Sequence, residues 1–162
     1  MKAGIFSRIV AIALGVYAGS AIAQQTVTIG TANPLTGNLA AMGKDAESGV
    51  QLAIEEINAA GLVIAGEKIT LRLDSKDDAG DPRTATMVAQ ALVDNNVVAV
   101  VGHLNSGATI PASKIYSDAQ ILQVSATSTN PIYTLQGYKT AYRLVATDAQ
   151  QGPALASYVS KK

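Results

Sequence analysis

Apolar positions along the chain recur with two periods, one typical of strands and the other of helices. Strand-like runs, either continuous or alternating, fall at 25–32, 68–74, 97–101, 121–124 and 142–145. Stripes at helical spacing fall at 42–60, 82–93, 111–116 and from 148 onward. Because strands and helices alternate throughout, the pattern predicts an α/β fold with a doubly wound parallel sheet.

The stretch 97–101 is continuously apolar. Four of its five residues are β-branched, which is typical of a strand buried on both faces. Gly102 ends the strand and a polar loop follows. We expect the next helix to begin near Pro111, because proline lacks an N–H and suits the first helical turn. Residues 105–108 would then lie outside that helix, free to line a site at the carboxyl end of the strand.

The helical stripes indicate which side chains should meet the sheet. In the first helix these are Ala46, Val50, Ala53, Ile54 and Ile57. The second helix should begin after an Asp81 N-cap and bury Ala85, Val88, Ala89, Leu92 and Val93. The last helix should turn Leu155, Tyr158 and Val159 towards the core.

The first 23 residues have the pattern of a secretory signal peptide. Lys2 and Arg8 give a basic start, 9–18 is almost wholly apolar, and Ala21 and Ala23 form a small-x-small cleavage site. The apolar run is shorter than the roughly 20 residues that span a bilayer. We therefore expect 1–23 to be removed on export, leaving 24–162 as the mature domain.

Composition argues against nucleic acid or an anionic membrane as a partner. The chain carries 12 basic and 12 acidic residues, and loss of the leader changes this balance to 10 against 12. Aromatic residues make up only 4% and Trp is absent, which disfavours base stacking. There is no Cys, so no disulfide can form, even in an exported protein.

Two motifs suggest nucleotide binding or catalysis, but neither matches the spacing and residue types that such a site requires. Gly37 and Gly43 flank five residues instead of the four of a phosphate loop, and Asp45 stands where a magnesium-binding hydroxyl is needed. His103 and Ser106 lie in no nucleophile elbow. We expect His103 to be a hydrogen-bonded structural residue, and we predict no catalytic residue and no cofactor.

Acidic residues cluster at Asp74, Asp77, Asp78 and Asp81, and such a cluster raises the possibility of a divalent cation site. The spacing lacks the calcium-loop pattern and its terminal Glu. Turns that end a strand, together with a helix cap, account for these carboxylates more simply. We therefore predict no metal site.

Three hydroxyl residues follow the carboxyl ends of strands that should be neighbours. Ser106 comes after the strand at 97–101, and Thr127 and Thr129 follow the strand at 121–124. Their loops should converge on one cleft. Ser106 and the amides near it suit a carboxylate, whereas the Thr127 carbonyl and Thr129 hydroxyl suit an ammonium. The sequence therefore predicts a site for a free amino acid.

The chain resembles the periplasmic binding proteins for branched-chain amino acids, the soluble receptors of leucine/isoleucine/valine ABC importers. The matching stretches lie within 27–158 and are 37–49, 77–82, 102–106, 111–113, 115–116 and 148–153. The resemblance implies a clamp of two lobes, each a parallel α/β sheet, that closes on ligand by hinge motion. This chain would be the first lobe.

The resemblance also implies roles for individual residues. Ser106 and Thr129 match the positions that hold the ligand α-carboxylate and α-ammonium, and Thr127 matches one that supplies backbone contacts. Three further residues fall where the family lines its pocket, namely Met42, Leu104 and Asn105.

Some features depart from the family pattern. Met42 replaces an aromatic residue, which is expected to alter side-chain selectivity, and Ala79 and Asn105 replace a cysteine pair. Family members are also longer, and their second lobe supplies an acidic contact to the ligand ammonium. We expect 24–162 to bind ligand weakly or not at all, because one jaw of a clamp cannot desolvate its ligand.

The implied function is that of a periplasmic, non-enzymatic solute-binding component of amino-acid import. Its partners would be a free amino acid as small-molecule ligand and the permease of an ABC transporter in the inner membrane, and we expect a monomer. The alternative is a sensory ligand-binding domain of an amino-acid or amide receptor, which would need a transmembrane or signalling segment beyond residue 162. A doubly wound enzyme is the third candidate, disfavoured because the sequence shows no phosphate loop or catalytic constellation.

Overall fold

The computed structural model describes residues 25–161. Its strands are β1 (Gln25–Asn33), β2 (Val63–Ile64), β3 (Glu67–Asp77), β4 (Ala99–Gly102), β5 (Leu122–Ser125) and β6 (Ala141–Arg143). Its helices are α1 (Ala40–Ala60), α2 (Pro82–Asp94), α3 (Ser106–Asp118), α4 (Ile132–Leu135) and α5 (Asp148–Val159). The expected signal peptide lies outside the described residues. Within 25–161, no helix is both long and apolar enough to cross a membrane.

The six strands form one sheet in the order β2-β3-β1-β4-β5-β6. All neighbours are parallel except β2 and β3, which form a short antiparallel hairpin that the sequence pattern did not reveal. The chain passes from β1 through α1 to β3, and then through α2 to β4 on the other side of β1. Right-handed crossovers in these opposite directions place α1 on one face and α2 and α3 on the other. The predicted doubly wound α/β fold is confirmed.

The face under α2 and α3 holds the hydrophobic core. The members of this cluster are Ala32, Ala89, Leu92, Val97, Val100, Ala112, Tyr116 and Ile121. Gly30 in β1 allows close packing here, because a Cβ at that position would lie 3.1–3.3 Å from side-chain atoms of Val100 and Leu92. In the predicted inner stripe of α2, Ala85, Ala89 and Leu92 are fully buried, whereas Val88 and Val93 are partly buried and pack against the core.

The face under α1 is only partly covered. Ile54 is the buried large apolar residue of α1, whereas Ile57 is 40% exposed. A groove of about 470 Å³ separates α1 from the strands, and its walls include Ile29, Val50, Ile54, Leu71 and Val101. The prediction that 97–101 is buried on both faces is therefore wrong. Val100 faces the closed core, whereas Val101 lines this groove and Val98 is 53% exposed.

Two expectations about helices are also wrong. α3 begins at Ser106 instead of Pro111, and Pro111 lies inside it. The helix begins early because Asn105 is extended and its carbonyl accepts the amides of Ala108 and Thr109, both at 3.0 Å. In α5, Leu155, Tyr158 and Val159 are 60–65% exposed and do not face the core. Their stripe predicts an apolar helix face, but it does not specify what covers that face.

Candidate ligand-binding site

The order of the strands creates a crevice at their carboxyl ends. β1 and β4 are adjacent, yet the chain leaves them in opposite directions along the sheet, and ligands of open α/β sheets bind at such a switch point. Two connections matter most at this edge. We call residues 103–105 the β4–α3 loop and residues 126–131 the β5–α4 loop.

Hydrogen bonds hold these two loops together. The Asn130 amide donates to Ser106 Oγ at 3.2 Å, and the Thr127 hydroxyl donates to the Leu104 carbonyl at 2.5 Å. Thr129 immediately precedes Asn130, so it lies on the same rim. The structure thus brings together four of the six residues singled out from the sequence: Leu104, Ser106, Thr127 and Thr129.

One side of this rim offers hydrogen-bond donors. Ser106 Oγ already accepts a bond from Asn130, which leaves its own proton free to donate. Within residues 25–161, the backbone amides of Ser106 and Gly107 donate to no protein acceptor. They form the first turn of α3, where the helix dipole is positive. Although the helix begins earlier than expected, the amides that we expected in a loop are still free to donate. They suit a carboxylate.

The other side of the rim offers acceptors. The Thr127 hydroxyl donates its proton to the Leu104 carbonyl, so the lone pairs of its oxygen remain available to accept a hydrogen bond. Thr129 is half-buried, and its carbonyl accepts the Asp148 amide at 2.9 Å. Its hydroxyl has no hydrogen-bond partner among the described residues. Hydroxyl and carbonyl oxygens of this kind suit an ammonium group.

The remaining two residues are less closely engaged. The side chain of Asn105 turns towards the segment after β3, where its Nδ2 donates to the Gly80 carbonyl at 3.1 Å. Its Oδ1 is buried without a partner. Met42 lies in the first turn of α1, at the same edge of the sheet, and is 59% exposed. It shares that edge with the rim but makes no hydrogen bond to it.

Asp77 and Asp81 have the turn and cap roles expected from the sequence, whereas Asp74 pairs with Lys76 and accepts a bond from Asn95. Asp77 accepts the Leu35 amide, the Thr36 hydroxyl and the Ala79 amide at 2.6–2.8 Å. Partial burial acts to raise the pKa of Asp77, but these bonds prevail and hold it below its ordinary value. Asp81 caps α2 through the Thr84 amide.

His103 is a hydrogen-bonded structural residue, as predicted. It is fully buried, with Nδ1 at 2.6 Å from Asp78 Oδ2 and Nε2 at 3.1 Å from the Tyr116 hydroxyl. Sequence reasoning did not identify these partners, nor the buried hydroxyls of Ser125 and Ser128 that bond behind the rim. The polar run after β5 indicated a loop, but nothing in it distinguished its buried members.

Comparison with known proteins gives the same family from sequence and from structure. The family model described as "Periplasmic binding protein" matches residues 26–162. The Leu/Ile/Val-binding protein homolog 1 of Brucella abortus is 40% identical over 159 residues, 98% of this chain. A leucine-, isoleucine-, valine-, threonine- and alanine-binding protein of Pseudomonas aeruginosa is 36% identical over 94% of it.

A solved structure extends the likeness to the fold. It is the branched-chain amino acid transporter substrate binding protein LivJ of Streptococcus pneumoniae, in complex with isoleucine. It superposes on 85% of this chain with a TM-score of 0.78 and 34% identity. The chain spans 42% of the Brucella relative's length, 40% of the Pseudomonas relative's and 39% of the pneumococcal chain. With the sheet order and the rim already described, these matches show that the chain belongs to the periplasmic binding protein family.

Proposed function

We propose that this chain is the amino-acid-binding first lobe of a solute-binding protein that serves an ABC importer, with leucine, isoleucine or valine as ligand. The observation that carries the proposal is the bond between the Asn130 amide and Ser106 Oγ. It joins the loops after β4 and β5, so that donors for a carboxylate and acceptors for an ammonium lie on one rim. A free amino acid presents both groups on one carbon atom, its α-carbon.

The branched-chain preference rests on the relatives and on the apolar residues beside the rim. The Brucella and Pseudomonas relatives carry the names of branched-chain amino acids, and the pneumococcal structure holds isoleucine. Met42, which is 59% exposed, supplies apolar surface at this edge of the sheet, whereas Leu104 is already buried. An apolar ligand side chain gains free energy by covering such surface.

The proposal extends to compartment, partner and mode of binding. Export through the leader at 1–23 would place the domain 24–162 in the periplasm, where the permease of the importer would be its partner. A second lobe would close over the ligand and remove the remaining water. Without that closure, the 162-residue chain should bind leucine only weakly, with a Kd of about 1 mM or above.

A titration of the ¹⁵N-labelled chain with L-leucine tests the proposal at residue resolution. Amide resonances of 105–108 and 127–130 should shift together and saturate with one Kd. Ser106→Ala should abolish the shifts, whereas Ser157→Ala, an exposed serine on α5, should leave them intact. Isopentylamine, which has the side chain and ammonium but no carboxylate, should bind much less well.

Two results would contradict the proposal. If neither loop shifts at leucine concentrations up to the solubility limit, the rim is not an amino-acid site. If calorimetry shows micromolar affinity for this chain alone, the expectation that one lobe makes only half a site is wrong.

A further inference from the structure

The side chain of His103 links the β4–α3 loop to the segment after β3, which is distant in sequence. Asp78, which follows β3, is fully buried and its Oδ2 lies 2.6 Å from His103 Nδ1. Nδ1 faces a carboxylate oxygen and Nε2 lies 3.1 Å from the Tyr116 hydroxyl oxygen, so each ring nitrogen has a hydrogen-bond partner. Burial, and then the negative charge of Asp78, raises the pKa of Tyr116, so the phenol keeps its proton. The ring is thus held at both nitrogens.

The backbone carbonyl of His103 links the β4–α3 loop to the end of β5 and the β5–α4 loop that follows it. The Ser125 hydroxyl donates to it at 2.9 Å and the Thr109 hydroxyl lies at 3.1 Å. Ser128 Oγ bridges these two hydroxyls, at 2.9 Å from Ser125 Oγ and 2.5 Å from Thr109 Oγ1. All three hydroxyl residues are buried. The β5–α4 loop is therefore anchored to the same residue that Asp78 holds by its ring.

The proposed ligand contacts begin immediately after these anchors. Leu104 follows His103 in the chain, and its carbonyl accepts the Thr127 hydroxyl. Ser106 lies two residues further on, and Thr129 directly follows the anchored Ser128. A rotation of the His103 peptide would move the carboxylate donors and the ammonium acceptors together.

We propose that His103, held by Asp78 and Tyr116, is a positioning residue that sets the spacing between the two halves of the ligand rim. It makes no contact with the ligand itself. The inference rests on the proposed function, because a spacing matters only if the rim binds a molecule with two charged groups. Supporting residues of this kind hold a binding constellation within a fraction of an ångström of its working geometry.

The chain makes this role directly measurable, because His103 is its only histidine. In the ¹³C,¹⁵N-labelled 162-residue chain, the ring resonances of His103 can be followed without ambiguity during the leucine titration. They should shift with the same Kd as the amides of Ser106 and Thr129, although the ring is buried. In Ser106→Ala the ring should no longer respond.

Substitutions supply the second readout. His103→Asn keeps a donor near the position of Nδ1 and should hold the Kd within about threefold of the parent chain. His103→Leu keeps apolar bulk but loses both ring bonds, and should weaken binding at least about tenfold. Circular dichroism and urea unfolding would verify that both variants are folded, and Asp78→Ala, which removes the partner of Nδ1, would replace His103→Leu if the latter does not fold.

The outcomes separate this inference from the proposed function. If the amides of Ser106 and Thr129 shift while the His103 ring stays fixed, or if a folded His103→Leu keeps the parent Kd, the positioning role is wrong and the amino-acid site stands. If nothing in the chain responds to leucine, both proposals fail.

Discussion

Leu92, on the α2 side of the sheet, is fully buried, whereas Ile57, on the α1 side, is 40% exposed. Both residues belong to regular apolar stripes, so periodicity alone does not separate them. α2 and α3 pack against each other and against β1 and β4, and thereby close one face of the sheet. α1 covers the other face alone and leaves the groove beside Val50 and Val101. Local pattern determines which side of a helix turns inward, but the number of covering elements determines how much becomes buried.

The binding rim borders both faces, because Ser106 lies on α3 of the closed face whereas Thr127 lines the groove on the α1 side. α3, which carries Ser106, also contributes Tyr116 to the core and to the His103 bond. The segment before α1 is held by the bonds that the Leu35 amide and the Thr36 hydroxyl donate to Asp77. We therefore expect substitutions on the two faces to have different effects, even when the residues exchanged are the same.

The largest difference should come from shortening a leucine on each side. Leu92→Ala leaves a cavity in the closed core and should lower the free energy of unfolding by about 2–5 kcal/mol. Leu52→Ala, on the outer surface of α1 where Leu52 is 56% exposed, should change it by less than about 0.5 kcal/mol. Urea unfolding followed by circular dichroism measures both. Equal losses would mean that Leu52 is as well packed as Leu92.

Two glycines of α1 provide a comparison within one helix. In Gly43→Ala the new Cβ would lie 2.0 Å from the Pro34 carbonyl oxygen, and the forced shift of backbone should cost about 1–3 kcal/mol. Gly49 has no atom within 4 Å of such a Cβ, so Gly49→Ala should gain about 0.5–1 kcal/mol from helix propensity. The melting temperature should therefore fall in Gly43→Ala and rise in Gly49→Ala, relative to the parent chain. A loss at Gly49 would show that the groove is closed in solution.

Filling the groove should have a smaller effect. Ala53→Leu adds apolar surface against the groove wall and should stabilise the chain by up to about 1 kcal/mol, because the site has room. The same change at Ala89, which is fully buried on the closed face, should be destabilising. The urea concentrations at the unfolding midpoints show whether each variant is more or less stable than the parent chain. Destabilisation by Ala53→Leu would argue against an open groove.

The smallest effect should be the response of the α1 side to acid. The folded-state pKa of Asp77 lies below its ordinary 3.8, so its contribution to stability is complete above that pH and is lost as pH falls through the folded value. Asp77→Asn should therefore reduce stability at pH 7 but remove part of the further loss on acidification. Amide exchange near Leu35 and Thr36 at pH 7 and pH 3 measures this. An unchanged acid response in the variant would exclude Asp77 as its source.

The sequence predicted the order and type of the long elements because each has a strong period and clear ends. Asp81 at the start of α2 is an example, since its cap role depends only on residues three positions away. The start of α3 was misplaced because the preference of proline for a first turn was outweighed by three donors that converge on the Asn105 carbonyl, including the Thr109 hydroxyl.

The candidate site was predictable only where it follows from strand order. Ser106 and Thr129 could be placed at one rim because their strands are parallel neighbours. The Asp78–His103 contact joins residues 25 positions apart, on connections that follow strands on either side of β1, and no local pattern specifies such a pair. A lone histidine and an aspartate in a turn both have ordinary sequence roles, so their pairing became evident only from the fold.

The central place of β1 has a consequence for how the chain folds. Gln25 pairs with Ile69 and Ile29 pairs with Ala99, so the first strand made must wait for partners 44 and 70 residues later. During synthesis no parallel neighbour exists for it until β3 has left the ribosome. Such distant pairing slows folding, because long loops must close before any strand contact is gained. We therefore expect β1 to stay unpaired until both connections have closed, although it lies in the middle of the finished sheet.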